Sequence, residues 1–244
     1  VIPERFDITP WNIDPAWRYA AVIDQLRDVW RDDITIAEIG SGAAGITEFL
    51  DHPVTGVDSA FERTDDKANP RLQQVVGTAT DLPFADASYD VVLSLEMMEH
   101  LPSDEVRAQA LREMLRVTKP GGRLVVTFPA GRTAERLDAW LNAAYRRRHG
   151  QDHPWAVEHL ENGLPDAEAI ARLAASVGAR RVRLRRHAWA PAWKLQQLLF
   201  SVEWGYPWTR AAGIHTTPTA GLLFRLLRGL NRGDCYRAVL LVDR

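Results

Sequence analysis

Two groups of residues in this 244-residue chain have the types and spacing that chemistry needs. The first is Glu38, Gly40, Ser41, Gly42 and Gly45, an acid followed by a glycine-rich loop, with Asp58 farther on. Glycine lets a backbone lie against a ligand with no Cβ in the way, and a helix opening behind such a loop offers unpaired N–H donors. A carboxylate such as Asp58 can accept from two neighbouring hydroxyls at once. The second group is Glu96, Glu99 and His100, with Glu158 and His159 downstream. Imidazole is the side-chain base whose pKa lies nearest neutrality. Two carboxylates and an imidazole within one helical turn can instead hold Mg²⁺ or a similar ion, which would align and acidify an acceptor hydroxyl.

Gly40, Gly42 and Gly45 fit the G-x-G-x-x-G spacing of dinucleotide loops, and Asp58 falls about 20 residues on, as that pattern asks. Glu38 separates two cofactors. A carboxylate at the mouth of the loop repels the pyrophosphate of NAD, whereas S-adenosylmethionine brings an ammonium group and a sulfonium that an acid can serve. The acid therefore favours S-adenosylmethionine. Its other use is to organise the loop by accepting from backbone amides.

Methyl transfer from a sulfonium is an in-line displacement, in which holding the acceptor behind the methyl group can supply about 7 to 11 kcal/mol of the barrier. Where the acceptor is a hydroxyl, a base takes its proton, and His100 is the first candidate, with Glu99 and His159 beside it. The alternative for His100 is a packing role at a helix start. A metal at Glu96, Glu99 and His100 would need a fourth ligand, with His153 or His159 available. Residues 153–165 carry Glu158 and His159, and either overhang the acceptor or form a surface loop stopped at Gly163 and Pro165.

An alternation of strands and helices must position these groups. Asp14 and Pro15 read as N-cap and N1 of a helix running to about residue 30. Apolar runs predict strands at 34–39, 54–57, 72–76 and 89–95, the last apolar enough for burial on both faces, with a short helix near 46–50. Ser103 and Asp104 open a helix whose apolar positions recur through Val117. It stops at Lys119-Pro120-Gly121-Gly122, before a strand at 123–128. Helices at about 134–147 and 166–177, a strand at 181–186 and a last strand at 236–242 continue the pattern. Such alternation implies a parallel sheet with ligands at the carboxyl ends of its strands, where both groups fall.

Residues 34–129 resemble the class I S-adenosylmethionine-dependent methyltransferases, the broad group of ubiquinone, menaquinone and glycan biosynthesis. Glu38-Ile39-Gly40-Ser41-Gly42 resembles their first motif, Gly56-Val57-Asp58-Ser59 the second, and 82–90 the approach to the fourth strand; 94–101 and Lys119-Pro120-Gly121-Gly122 complete the series. The resemblance implies a doubly wound α/β fold, Rossmann-like, with a mostly parallel seven-stranded sheet, helices on both faces, the last strand antiparallel and a helical insertion before it. It implies a cofactor set of Glu38, Gly40, Ser41, Gly42, Gly45, Asp58, Ser59, Thr78, Ala79, Asp81, Leu82 and Ser94, with Asp58 on the ribose hydroxyls. The family's Asp or Asn near the adenine falls on Thr78, whose hydroxyl can still accept. Glu96-x-x-Glu99-His100 also resembles the divalent-metal motif of ubiquinone-pathway O-methyltransferases and small-RNA 2′-O-methyltransferases.

A net charge of −2 and a pI near 6.4 leave no footprint for nucleic acid. The expected acceptor is a hydroxyl of a small molecule or of a glycan or lipid-linked acceptor. The rivals are an NAD-dependent oxidoreductase, against which Glu38 and the Pro-Gly-Gly stop argue, and a non-catalytic methyltransferase-like binding protein. Cys235 is the only cysteine, and neither a signal-peptide pattern nor a run of about 18 apolar residues occurs, so the expected location is cytoplasmic. A start at Val1 reads as missing N-terminal sequence.

Residues 1–33 read as an arm and helix, 34–186 with 235–244 as the methyltransferase domain, and 187–234 as a helical cap with amphipathic stretches at 193–204 and 220–230. Trp189, Trp193, Trp204 and Trp208 in the cap serve as core, as a platform for the acceptor, or as a peripheral membrane contact, and the apolar cap can equally be a homodimer face. Arg180, Arg181, Arg183, Arg185 and Arg186 read as a solvated edge strand or a phosphate site.

Overall fold

The strands predicted from apolar runs assemble into one seven-stranded sheet in the computed structural model, which describes residues 3, 6–60, 69–200, 211–212, 216–229, 231 and 233–244. They are β1 (Ile36–Ile39), β2 (Val54–Asp58), β3 (Leu72–Val76), β4 (Tyr89–Leu95), β5 (Thr118–Pro129), β6 (Arg181–Trp189) and β7 (Cys235–Asp243), in the order β3-β2-β1-β4-β5-β7-β6. β1 to β5 pair with one another in parallel, and β7 is inserted antiparallel between β5 and β6. The switch point lies between β1 and β4, where ligands bind in open α/β sheets.

The helices are α1 (Ile13–Ile23), α2 (Asp104–Val117), α3 (Gly131–His149), α4 (Pro154–Asn162), α5 (Ala167–Ser176), α6 (Ala190–Phe200) and α7 (Thr217–Arg228). Alternate strand residues feed opposite cores, as a period of two requires. Val92, Leu124 and Leu240 pack with Leu111 and Met114 of α2 and Ile170 of α5. Val91, Leu93, Val125 and Leu241 pack on the other face with Val22 and Ile23 of α1. A third core gathers Trp17, Ala134, Ala156, Trp193, Phe224 and Tyr236 beneath the cap.

Several boundaries differ from expectation. α1 ends at Ile23 because the next N–H groups, of Gln25 and Leu26, bond back only three residues, tightening the chain into turns. The helix near 46–50 is a single 3₁₀ turn, Gly45–Glu48. β5 begins at Thr118, so the Pro-Gly-Gly segment lies inside the strand; a β-bulge between Tyr89 and Val91 absorbs it. Residues 154–162 are a helix rather than a loop, opened by Pro154 and closed by Gly163 at φ +72°.

The arginine-rich strand β6 forms the sheet edge, where Arg183 pairs with Asp243 and Arg186 with Glu168. β6 extends to Trp189, into the segment read as cap. Trp193 is fully buried against Tyr236, a core role, while Trp204, Trp208 and residue 230 lie outside the described residues. No helix among the described residues is long and apolar enough to cross a membrane.

Candidate functional site

β1, β2 and β4 end around a cavity of about 630 Å³. Gly40, Ser41 and Gly42 form its wall after β1, Asp58 and Ser59 after β2, Thr78 and Ala79 after β3, and His100 after β4. Gly40 turns at φ +78°, and a Cβ there would stand 2.7 Å from Met97 Cγ, so the turn and its close approach both exclude a side chain. The loop is tied to the next strand: Gly40 N–H donates to Val57 O at 2.7 Å and Gly42 N–H to Asp58 Oδ2 at 3.0 Å. Asp58 is thus fixed facing the loop.

Glu38 and Gly45 stand behind this wall rather than on it. Glu38 is 1% exposed and accepts the Ile46 N–H at 2.7 Å. Burial pushes its pKa up to about 8, against the pull of that bond and of the Arg18 charge. Gly45 has no room for a Cβ, which would fall 2.3 Å from Glu38 Oε2. The acid therefore organises the loop.

Three more of the expected cofactor residues are off the wall. Leu82 is core, with its N–H given to Glu113 Oε2 at 2.9 Å. Ser94 is fully buried within β4. Asp81 turns outward to solvent while its N–H bonds to Thr78 O.

At the end of β4 the backbone enters the left-handed region at Glu96, with φ 54°. The residue is held there by Thr127, whose hydroxyl donates to Glu96 Oε1 at 3.0 Å, and by Arg237, whose Nε donates to Oε2 at 2.8 Å. Burial would raise the Glu96 pKa, but the Arg237 and Arg18 charges and the hydrogen bonds from Arg237 and Thr127 together outweigh it and lower the pKa. Glu96 is thereby committed to an ion pair and leaves the expected metal set. His153 leaves it too, packing its ring between Tyr145 and Trp155.

What comes together instead is Glu99, His100 and His159, whose ligand atoms lie within 4.8 Å of one another. Glu99 is 1% exposed, its Oε2 has no partner among the described residues, and burial and then the Glu96 charge push its pKa well up. His100 Nδ1 bonds Glu158 Oε1 at 2.8 Å near the surface. His159 Nδ1 bonds Asp138 Oδ2 at 3.0 Å in the interior.

Residues 37–126 match the family described as a methyltransferase domain. The chain is 30% identical over 202 residues to a demethylmenaquinone methyltransferase of Beutenbergia cavernae, covering 75% of this chain and 82% of that one. The chain belongs to the class I S-adenosylmethionine-dependent methyltransferases. A 27-O-demethylrifamycin SV methyltransferase of Amycolatopsis mediterranei is 36% identical over 110 residues, 39% of each chain. The methyltransferase also shares its fold with a SAM-dependent methyltransferase of Thermotoga maritima, at TM-score 0.56 and 17% identity over 96% of this chain and 93% of that one.

Some residues around the methyltransferase's cavity carried no signal in the sequence. Arg18 and Tyr19 of α1 line it, and Arg18 Nε is buried without a hydrogen-bond partner among the described residues. Asp138 and Tyr236, from α3 and β7, meet at His159, and Arg237 of β7 meets Glu96. Their distance along the chain hides them; a lone charge beside a buried apolar residue, as in Trp17-Arg18 or Tyr236-Arg237, is the only trace. A separate cavity of about 440 Å³ on the other side of α1 is lined by Arg27, Arg123, Arg183, Arg185 and Arg228 and touches none of the glycine loop.

Proposed function

We propose that this methyltransferase methylates a hydroxyl on a small acceptor with an apolar body. The single observation behind this reading is the imidazole of His100 on the wall of the cavity, backed by Glu158 and adjoined by Glu99 and His159. S-adenosylmethionine supplies an electrophilic methyl group on a cationic sulfur. The chain's part is to hold the two reactants and move a proton.

In this reading Asp58, already oriented by Gly42, accepts from the ribose hydroxyls. The unpartnered Nε of Arg18 suits the carboxylate of the methionyl group, a pairing of buried donor and anion that satisfies both. The glycine loop admits the same group closely. Ile39, Leu95, Met97, Leu101 and Val106 give the cavity apolar walls that fit an acceptor of ring or polyketide type better than a glycan. The two relatives named for menaquinone and rifamycin acceptors support that choice. The imidazole cluster takes the hydroxyl proton as the oxygen attacks.

The 4.8 Å grouping of Glu99, His100 and His159 favours a second reading, in which a divalent cation there acidifies the same hydroxyl. Transfer of a labelled methyl group to hydroquinone, polyketide and glycoside acceptors tests both. Transfer to oxygen of the first two, lost in His100→Ala with cofactor binding intact, is expected. Full activity of His100→Ala, or methylation of ring carbon alone, overturns the hydroxyl reading, and loss of transfer on chelation selects the metal.

A further inference from the structure

The cavity of about 440 Å³ beside α1 is walled by five guanidinium groups drawn from distant stretches of the chain. Arg27 comes from the turns after α1, Arg123 from β5, Arg183 and Arg185 from β6, and Arg228 from α7. Arg183 and Arg185 are alternate residues, so they share one face of the edge strand. The intervening Val182 and Leu184 pack on the other face, toward α5. An edge strand guarded against pairing with other chains needs charge only on itself. The convergence of Arg27, Arg123 and Arg228 on the same cavity has no such explanation.

Among the described residues, three acids pair with these five arginines. Asp24 accepts from Arg27 Nε at 3.1 Å and from Arg228 Nη2 at 2.6 Å. Asp243 accepts from Arg123 Nε at 2.8 Å and from Arg183 Nη2 at 2.7 Å, and Asp28 also pairs with Arg123. Arg185 has no acid partner among the described residues. Five cations against three anions leave two positive charges in excess around one concavity. Like charges held together repel, so an anion bound among them stabilises the fold that holds them.

We propose that this cavity is a second ligand site, separate from the glycine loop and independent of the acceptor, and that it takes a small soluble compound bearing a phosphate ester or diphosphate. Guanidinium forks match phosphoryl oxygens in shape as well as charge. Donors that arrive from four elements suit a tetrahedral anion, whose oxygens point several ways, better than a planar carboxylate. The described lining offers Trp17, Ala20, Ala21 and Val239 as its apolar groups, too little for an acyl chain. The volume admits a phosphoryl group with a small body attached.

The test is calorimetric titration of the full chain with inorganic pyrophosphate at constant ionic strength. One saturable site is expected. Arg185→Gln, which removes an exposed group with no ion pair to lose, should weaken it about tenfold or more and leave S-adenosylmethionine affinity unchanged. Arg186→Gln takes the same charge from the same strand on its other face, where it pairs with Glu168, and should change the affinity by less than about twofold. Pyrophosphate should also raise the Tm of the unsubstituted protein, and raise that of Arg185→Gln less. Absence of saturable binding, or equal weakening by the two substitutions, overturns the site. Citrate binding as tightly as pyrophosphate overturns the phosphoryl assignment. Retention on vesicles containing phosphatidic acid, with no binding of free pyrophosphate, overturns the soluble ligand in favour of a lipid headgroup.

Discussion

Gly42 and Gly45 have nearly the same backbone, at φ +57° and +54°, but opposite surroundings: a Cβ at Gly42 meets nothing within 4 Å among the described residues, and one at Gly45 falls 2.3 Å from Glu38 Oε2. Alanine at either position bears the left-handed strain of a non-glycine residue, about 1–2 kcal/mol. At Gly45 it also displaces Glu38, which is 1% exposed and has no room to swing away. The Ile46 N–H then loses its acceptor, and a buried donor left unsatisfied costs about 1–3 kcal/mol more. For a chain of this size that difference lowers Tm by roughly 2–12 °C beyond the Gly42→Ala effect. Thermal and urea unfolding of the two cofactor-free variants measure it. Equal destabilisation would refute the claim that Glu38 organises the loop from behind.

Asp58→Ala should weaken S-adenosylmethionine binding about a hundredfold or more, the loss of two hydrogen bonds to a charged group, with little change in unfolding; unchanged affinity removes Asp58 from the ribose. His187 gives a pH dependence: burial, helped by the Arg237 charge, lowers its pKa from 6.5 to about 4. The unfolded chain then binds a proton that the folded chain refuses, so stability is full above pH 6.5 and falls as the pH drops toward 4, by about 3 kcal/mol. His187→Gln, which can still donate to Trp17 O, should flatten that part of the unfolding profile, and an unchanged slope assigns it to other groups.

The sheet was legible where a buried parallel strand writes itself as an apolar run: β4 has the bounds that the sequence predicts. The glycine loop, Asp58 and His100 were legible because positive φ and strand-end chemistry restrict residue type, and the structure brings them to one cavity. The 154–162 helix was obscured by Pro154 and Gly163, which read as loop residues until their places at the first turn and the stop are seen. The commitment of Glu96 was hidden for another reason. Its partner Arg237 is 141 residues away, and a local E-x-x-E-H spacing says nothing about an ion pair made across the sheet. Asp138 was invisible in the same way, since only the packing of α3 against α4 and β7 gives it His159 and Tyr236.

The most direct measurement is calorimetric titration of the purified chain with S-adenosylmethionine, S-adenosylhomocysteine and NAD. Saturable binding of the first two with none of NAD is predicted, and it should be weakened by Asp58→Ala. Binding of NAD alone, or of none of the three, would contradict the assignment of the glycine-loop cavity to S-adenosylmethionine.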